Sequence, residues 1–87
     1  MSLQEKFQQA QIDVKTLTKR PTDEQLLNLY ALFKQATDGD NTTSKPGMFD
    51  IKGQFKWKTW NEKKGMSKDE AMQNYIDLVT KLLDTLK

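Results

Sequence analysis

Residues 30–60 read YALFKQATDGDNTTSKPGMFDIKGQFKWKTW. Two segments carrying aromatic rings and lysines at helical spacing flank a long polar stretch. Tyr30 and Lys34 are four apart, as are Lys52 and Lys56, and Trp57 and Trp60 are three apart. Residues three or four apart share one face of a helix. A face offering both rings and ammonium groups suits a ligand with phosphates, a flat base and an apolar part. The stretch between the two segments, from about Asp38 to Lys52, exceeds the roughly two to eight residues that join bundle helices. About fourteen extended residues reach ~46 Å, whereas a helix of about sixteen residues is ~24 Å long. The chain can therefore run back along its second helix before starting its third. Helices 2 and 3 then lie parallel, with short turns joining 1 to 2 and 3 to 4. The expected fold is an all-α, four-helix bundle, up-down-down-up, with a long loop between helices 2 and 3.

Caps and periodicity place the helices. Ser2 and Glu5 form the S-x-x-E pattern of a capping box, so helix 1 starts near residue 3. Its apolar stripe is Leu3, Phe7, Ala10, Val14 and Leu17, and Pro21 breaks it. Thr22 and Gln25 make a second capping box. Helix 2 follows with Leu26, Leu29, Tyr30, Phe33 and Ala36 on one side and Leu27 and Leu32 off that stripe, so it is expected to be buried on two faces. Gly39 is its stop. Helix 3 is expected from about Gly53 to Lys64, ending at Gly65. Ser67 and Glu70 form a third box, with Met66 and Ala71 as a hydrophobic staple. Helix 4 then carries Ala71, Met72, Tyr75, Ile76, Val79, Leu82, Leu83 and Leu86 at spacings of three and four.

Size and composition narrow the chemistry. The 87 residues make one domain, residues 1–87. Without cysteine there is no disulfide, thiolate nucleophile or cysteine metal site. Without histidine the commonest general base and metal ligand are missing. The first residues, MSLQEKFQQA, hold no apolar signal run, so a cytoplasmic location is expected. The net charge is +2, but residues 45–68 hold Lys45, Lys52, Lys56, Lys58, Lys63, Lys64 and Lys68 against only Asp50 and Glu62. Such a run is either a solvated face or an anion site. Asp38-Gly39-Asp40 fails as a calcium loop, with Thr43 at the glycine position and Phe49 at the closing glutamate position. Asn41-Thr42-Thr43 is a formal glycosylation acceptor. Asp23, Glu24, Asp69 and Glu70 read as first-turn acids favoured by the helix dipole rather than as an acid–base pair.

The chain resembles the acyl-CoA-binding protein family. The residues that carry the resemblance are Tyr30-Ala31-Leu32-Phe33-Lys34-Gln35-Ala36-Thr37, Gly39-Asp40, Pro46-Gly47 and Lys52-Gly53-Gln54-Phe55-Lys56-Trp57-Lys58-Thr59-Trp60. Lys64-Gly65-Met66-Ser67 and Ala71-Met72-Gln73-Asn74-Tyr75-Ile76 continue it. The resemblance implies an up-down-down-up bundle that binds fatty-acyl-CoA thioesters without transforming them. It implies that Lys34 and Lys56 grip the 3′-phosphate of the nucleotide and that Tyr30 and Tyr75 contact the head group. It adds Lys15 and Lys52 to the site, with Ala31, Leu32 and Phe33 in the same helix-2 segment. Trp57 is implied near the ligand and Trp60 in the core. Phe33 stands where the family often has a second tyrosine, which removes a phenol hydroxyl. Leu26, Leu27, Phe33 and Trp57 are the expected lining of the acyl groove.

The function expected from the resemblance is non-covalent carriage and buffering of medium- to long-chain acyl-CoA, by a monomer without enzymatic activity, metal or cofactor. Long-chain acyl-CoA is the expected partner, nucleic acid is not, and transient contact with membranes or acyl-CoA-using enzymes is compatible with it. Two other classes compete: a helical module that applies its tryptophan face to a protein or to single-stranded bases, and a small isomerase acting on the same ligands. The missing histidine and cysteine count against the isomerase.

Overall fold

Each helix begins where a short polar side chain takes up its first free amides. The computed structural model describes residues 1–86, with helices α1 (Leu3–Asp13), α2 (Asp23–Thr37), α3 (Ile51–Asn61) and α4 (Lys68–Thr85), and no strand among the described residues. Both halves of the capping box form at Ser2/Glu5 and at Thr22/Gln25. At Ser67 only the serine half forms, its hydroxyl accepting from the Glu70 amide at 3.1 Å. Helix 1 tightens into a 3₁₀ turn at Val14–Thr16 before the chain reaches buried Pro21. α2 ends at Gly39, whose φ of +83° is cheap only for glycine.

α3 departs from its expected span at both ends. It starts at Ile51 because the Asp50 carboxylate accepts from the Gly53 amide at 3.0 Å and so caps it. Lys52 therefore lies in the first turn of a helix, where its direction is fixed, rather than at the end of a loop. The helix stops at Asn61. Residues 62–65 continue as turns, closed by Met66 N–H donating to the Lys63 carbonyl and by Gly65 at φ +94°.

Contacts between helices settle the directions. Phe7 meets Tyr75 edge-on at 5.1 Å, and Ala10 and Asp13 face Val79, Thr80 and Leu83, so α1 and α4 run parallel. The C-terminal end of α2 meets the start of α4: Ala36 and Thr37 share a groove with Lys68 and Met72. Along α2 and α3, Leu27 lies by Phe55, Tyr30 by Lys56 and Lys34 by Trp60, so the contacts advance in the same direction along both and the two helices are parallel. The up-down-down-up order is thus present. α4 packs on α1 and α2, while α3 packs on α2 alone. The molecule is a slab of 37 × 28 × 15 Å. Its core comprises Phe7, Ala10, Leu29, Leu32, Ala36, Ala71, Tyr75, Val79 and Leu82. Among the described residues no helix is long and apolar enough to cross a membrane.

Polar anchors replace the missing neighbours of α3. Buried Gln35 donates its amide to Asp40 Oδ1 and to the Met66 carbonyl, both at 2.8 Å, and Asp40 also accepts from the Gly65 amide. Buried Asn41 donates to the Trp57 carbonyl and accepts from the amide and hydroxyl of Thr43, an Asx turn. The formal glycosylation acceptor is therefore a structural pin, its amide turned inward.

Two measurements check this account. Asp50→Ala should cost about 1 kcal/mol as a lost cap. Gly53→Ala brings a Cβ into the space of the Asp50 carboxylate, which lies 2.2 Å from the ideal Cβ position. In the parent chain the cap it displaces offsets its gain of about 1 kcal/mol in helix propensity, whereas in an Asp50→Ala background that gain should appear in full. Urea denaturation of the four proteins reads the difference; additivity would contradict it. The second concerns acid. Hydrogen bonds from the Gly65 amide and then from Gln35 hold the Asp40 carboxyl below its ordinary range. Its ionised form favours the native state, so its contribution is full above about pH 4 and disappears as pH falls through the lowered value. Asp40→Asn should lower stability at neutral pH and flatten its loss in acid.

Candidate functional site

The N-terminal halves of α2 and α3 do not close on each other. They bound a cleft of about 340 Å³ lined by Arg20, Asp23, Leu26, Leu27, Tyr30, Lys52, Phe55 and Lys56. That volume lies in the range of small-molecule sites. Its floor is apolar, from Leu26, Leu27, Phe55 and the ring of Tyr30. Its rim carries three cations, Arg20, Lys52 and Lys56, against one carboxylate. Arg20 pairs with that carboxylate, Asp23, at 3.0 Å, and both side chains are largely exposed, so the pair is easily exchanged for another anion.

At the closed end of the cleft the helices lie crosswise over one another's rings. The Lys56 ammonium stands 5.3 Å from the Tyr30 ring centre, and the Lys34 ammonium stands 5.0 Å from that of Trp60. Each helix contributes one ring and one cation four residues apart, and each cation covers the other helix's ring. Trp60 is buried and donates its indole N–H to the Gly39 carbonyl at 2.9 Å. Lys34 also pairs with Asp38, whose carboxylate raises the Lys34 pKa and is itself lowered in return.

Of the residues expected at the site, Tyr30, Lys52 and Lys56 come together in the cleft, and Lys34 lies one turn further along the same face. Ala31 and Leu32 are buried and do not line the cleft, and Leu32 belongs to the core cluster. Tyr75 is buried against Phe7, and burial pushes its phenol pKa up. Lys15 is exposed in the 3₁₀ turn and does not line the cleft. Phe33 and Trp57, expected in the apolar lining, lie elsewhere. Phe33 stacks with Phe7 at 6.1 Å in a groove beside α1 and α4. α2 is covered by α3 on one face and by α4 on the other, and Phe33 borders the α4 face, where the Phe7 ring of α1 reaches it. The Trp57 indole N–H donates to the Thr43 carbonyl at 2.9 Å, which draws its ring over the loop, on the far side of α3. Phe55 and Arg20 take the places in the lining instead. Phe55 was legible in principle, being three residues from Lys52 on the same face; Arg20 precedes α2 and had no periodic signal.

The family model described as Acyl CoA binding protein matches residues 4–79. The chain belongs to the acyl-CoA-binding protein family. Among its relatives, Acyl-CoA-binding protein homolog 1 of Caenorhabditis elegans is 57% identical over 77 residues, covering 88% of this chain and 90% of that one. The Drosophila melanogaster Acyl-CoA-binding protein homolog is 54% identical over 79 residues, 91% and 92% of the two chains. The crystal structure of Oryza sativa Acyl-CoA-Binding Protein 2 superposes with a TM-score of 0.91 at 44% identity, over 95% of this chain and 90% of that one.

In this member of the acyl-CoA-binding protein family the two tryptophans are expected to differ sharply. Trp60→Ala removes a buried ring and its hydrogen bond and should cost about 3–5 kcal/mol. Trp57→Ala loses a half-buried ring and one hydrogen bond, and should cost clearly less, the bond itself being worth about 1 kcal/mol. Urea midpoints of the two variants check the order.

Proposed function

We propose that this chain binds medium- to long-chain fatty-acyl-CoA thioesters non-covalently, as a monomeric carrier and buffer in the cytoplasm, without transforming them. The observation that carries this reading is the cleft itself: an apolar floor under a cationic rim, with one ring between them. A CoA thioester has the matching sequence of groups. Its phosphates meet Lys52, Lys56 and Arg20 through charge-assisted hydrogen bonds. Its adenine lies on the Tyr30 ring, in the place of a contact that Lys56 otherwise makes. Its acyl chain covers Leu26, Leu27 and Phe55.

The remaining residues act at one remove. Lys34 joins the phosphate site by exchanging Asp38 for the ligand. Ala31, Leu32, Phe33 and Tyr75 hold α2 in place from the core side. Trp57 fixes the loop to α3. The identity of this chain to the acyl-CoA-binding protein homologs of Caenorhabditis elegans and Drosophila melanogaster supports the ligand class.

The magnitudes suggest how affinity is divided. A buried methylene contributes about 0.8 kcal/mol, so about fourteen of them contribute ~11 kcal/mol at most, before ordering costs. This is near the whole free energy of a nanomolar complex, about 12 kcal/mol. The nucleotide then sets specificity and the chain sets most of the affinity. Calorimetry with free CoA, a short-chain and a long-chain acyl-CoA should show affinity rising with chain length; equal affinities would contradict this division.

Tryptophan fluorescence during titration with palmitoyl-CoA should give a saturable one-to-one change. Lys56→Ala and Lys52→Ala should each weaken binding about tenfold or more, the worth of a hydrogen bond to a charged group. Unchanged affinity in both variants would contradict the placement of the phosphates.

A further inference from the structure

Asp38 stands where a helix disfavours it. It is the C-terminal cap residue of α2, beside carbonyls whose partial negative charge repels an anion. Its neighbours already close the helix and tie the loop: Gly39 takes the positive φ, and Asp40 accepts from Gln35 and Gly65. The Asp38 amide bonds back into α2, which most other residues would do as well. The chief partner of its carboxylate is the Lys34 ammonium, four residues back. In a helix a cation that precedes its anion by four residues is the less favoured order. Helix stability therefore gives no reason for an acid at this position.

The pair does have a consequence for the cleft. Lys34 lies on the face of α2 that carries Tyr30, and its ammonium is held between Asp38 and the Trp60 ring, 5.0 Å from the ring centre. An anion that reaches one turn along α2 from the cleft meets a cation already occupied. The pair can open, because the side chains of Lys34 and Asp38 are 27% and 50% exposed. The carboxylate is not stranded when it does. Lys68 begins α4, its stem lies beside Gly39, and it too draws on the Asp38 carboxylate. A tethered group competes at an effective concentration in the millimolar range. A phosphate monoester carries up to two charges and three acceptor oxygens, against one charge and two oxygens on Asp38. The phosphate wins Lys34, but from a competitor that never diffuses away.

We propose that Asp38 is an internal competitor for Lys34 that weakens the hold on a bound phosphate and speeds release of the ligand. This role rests on the acyl-CoA reading and gives the carrier a means of unloading. A nanomolar complex that forms at about 10⁷ M⁻¹s⁻¹ takes on the order of 100 s to dissociate. A carboxylate poised to retake Lys34 as the phosphate lifts shortens that time and leaves the acyl-chain contacts untouched.

Calorimetry with palmitoyl-CoA and stopped-flow displacement of the bound ligand test it. Asp38→Asn should tighten binding about two- to fivefold, the worth of a partly exposed ion pair, and slow release by a similar factor. Asp38→Glu keeps a carboxylate within reach and should stay near the parent. In a Lys34→Gln background, itself weaker in binding, Asp38→Asn should change nothing. The urea midpoint of Asp38→Asn should match the parent, the lost pair being offset by removal of an anion from a helix C-terminus. Unchanged or weaker binding by Asp38→Asn, or an unchanged release rate, would overturn the proposal. So would an equal gain in the Lys34→Gln background, since net charge alone would then account for it. A parent that binds palmitoyl-CoA with no effect at Asp38 overturns this proposal alone, whereas a parent that does not bind it overturns the acyl-CoA reading as well.

Discussion

Trp60 is the contact on which the arrangement of α3 depends. α3 has one helical neighbour, and an eleven-residue helix is marginal by itself in water. Burial of the Trp60 ring, its hydrogen bond to the Gly39 carbonyl and the covering Lys34 ammonium hold it against the C-terminal end of α2. The two cation–π contacts contribute about 1 kcal/mol each at such partly exposed sites, so ring burial dominates and the ammonium groups refine the register. Gln35, Asp40 and Gly65 add polar ties at the same end. All of these anchors lie at the C-terminal ends of α2 and α3. The cleft opens between the N-terminal halves, where the Lys56 ammonium over the Tyr30 ring is the contact between the two helices. One cause, tight joining at one end, accounts for both the attachment of α3 and the site.

The same asymmetry explains the charge distribution. Lysines near the anchored end are partnered: Lys34 by Asp38 and Trp60, Lys63 by the Asn28 side chain. At the open end Lys52 lines the cleft and forms no ion pair among the described residues, and Lys56 lies over the Tyr30 ring. Exposed cations beside an apolar floor suit an anionic, amphipathic ligand. The loop adds to this by pinning Trp57 through Thr43 and Asn41, which keeps its ring out of the cleft.

Much of the fold could be read from residue types whose effect is local. Ser2, Thr22, Ser67, Gly39 and Gly65 mark helix ends because backbone amides and positive φ angles restrict what can stand there. The long stretch after Asp38 permitted the parallel pairing of α2 and α3 without requiring it, and the contacts between the two helices decide it. The start of α3 was missed because Asp50 looked like one more polar loop residue; its capping role shows only once the Gly53 amide is in place. In the site, Tyr30, Lys52 and Lys56 were legible from spacing together with the family resemblance. Phe33 and Trp57 were misplaced in the lining because periodicity gives a residue's face but not which neighbour covers it. α2 has two covered faces, and a hydrogen bond to a loop carbonyl turned Trp57 aside.

The most direct test of the central claim is a backbone and side-chain NMR titration of the chain with palmitoyl-CoA. Shifts should concentrate on Leu26, Leu27, Tyr30, Lys52, Phe55 and Lys56, with smaller changes at Lys34 and Trp60 as the crosswise contacts adjust. Shifts confined to the groove between α1 and α4, at Gln9, Ala10, Ile76 and Leu83, would contradict the account.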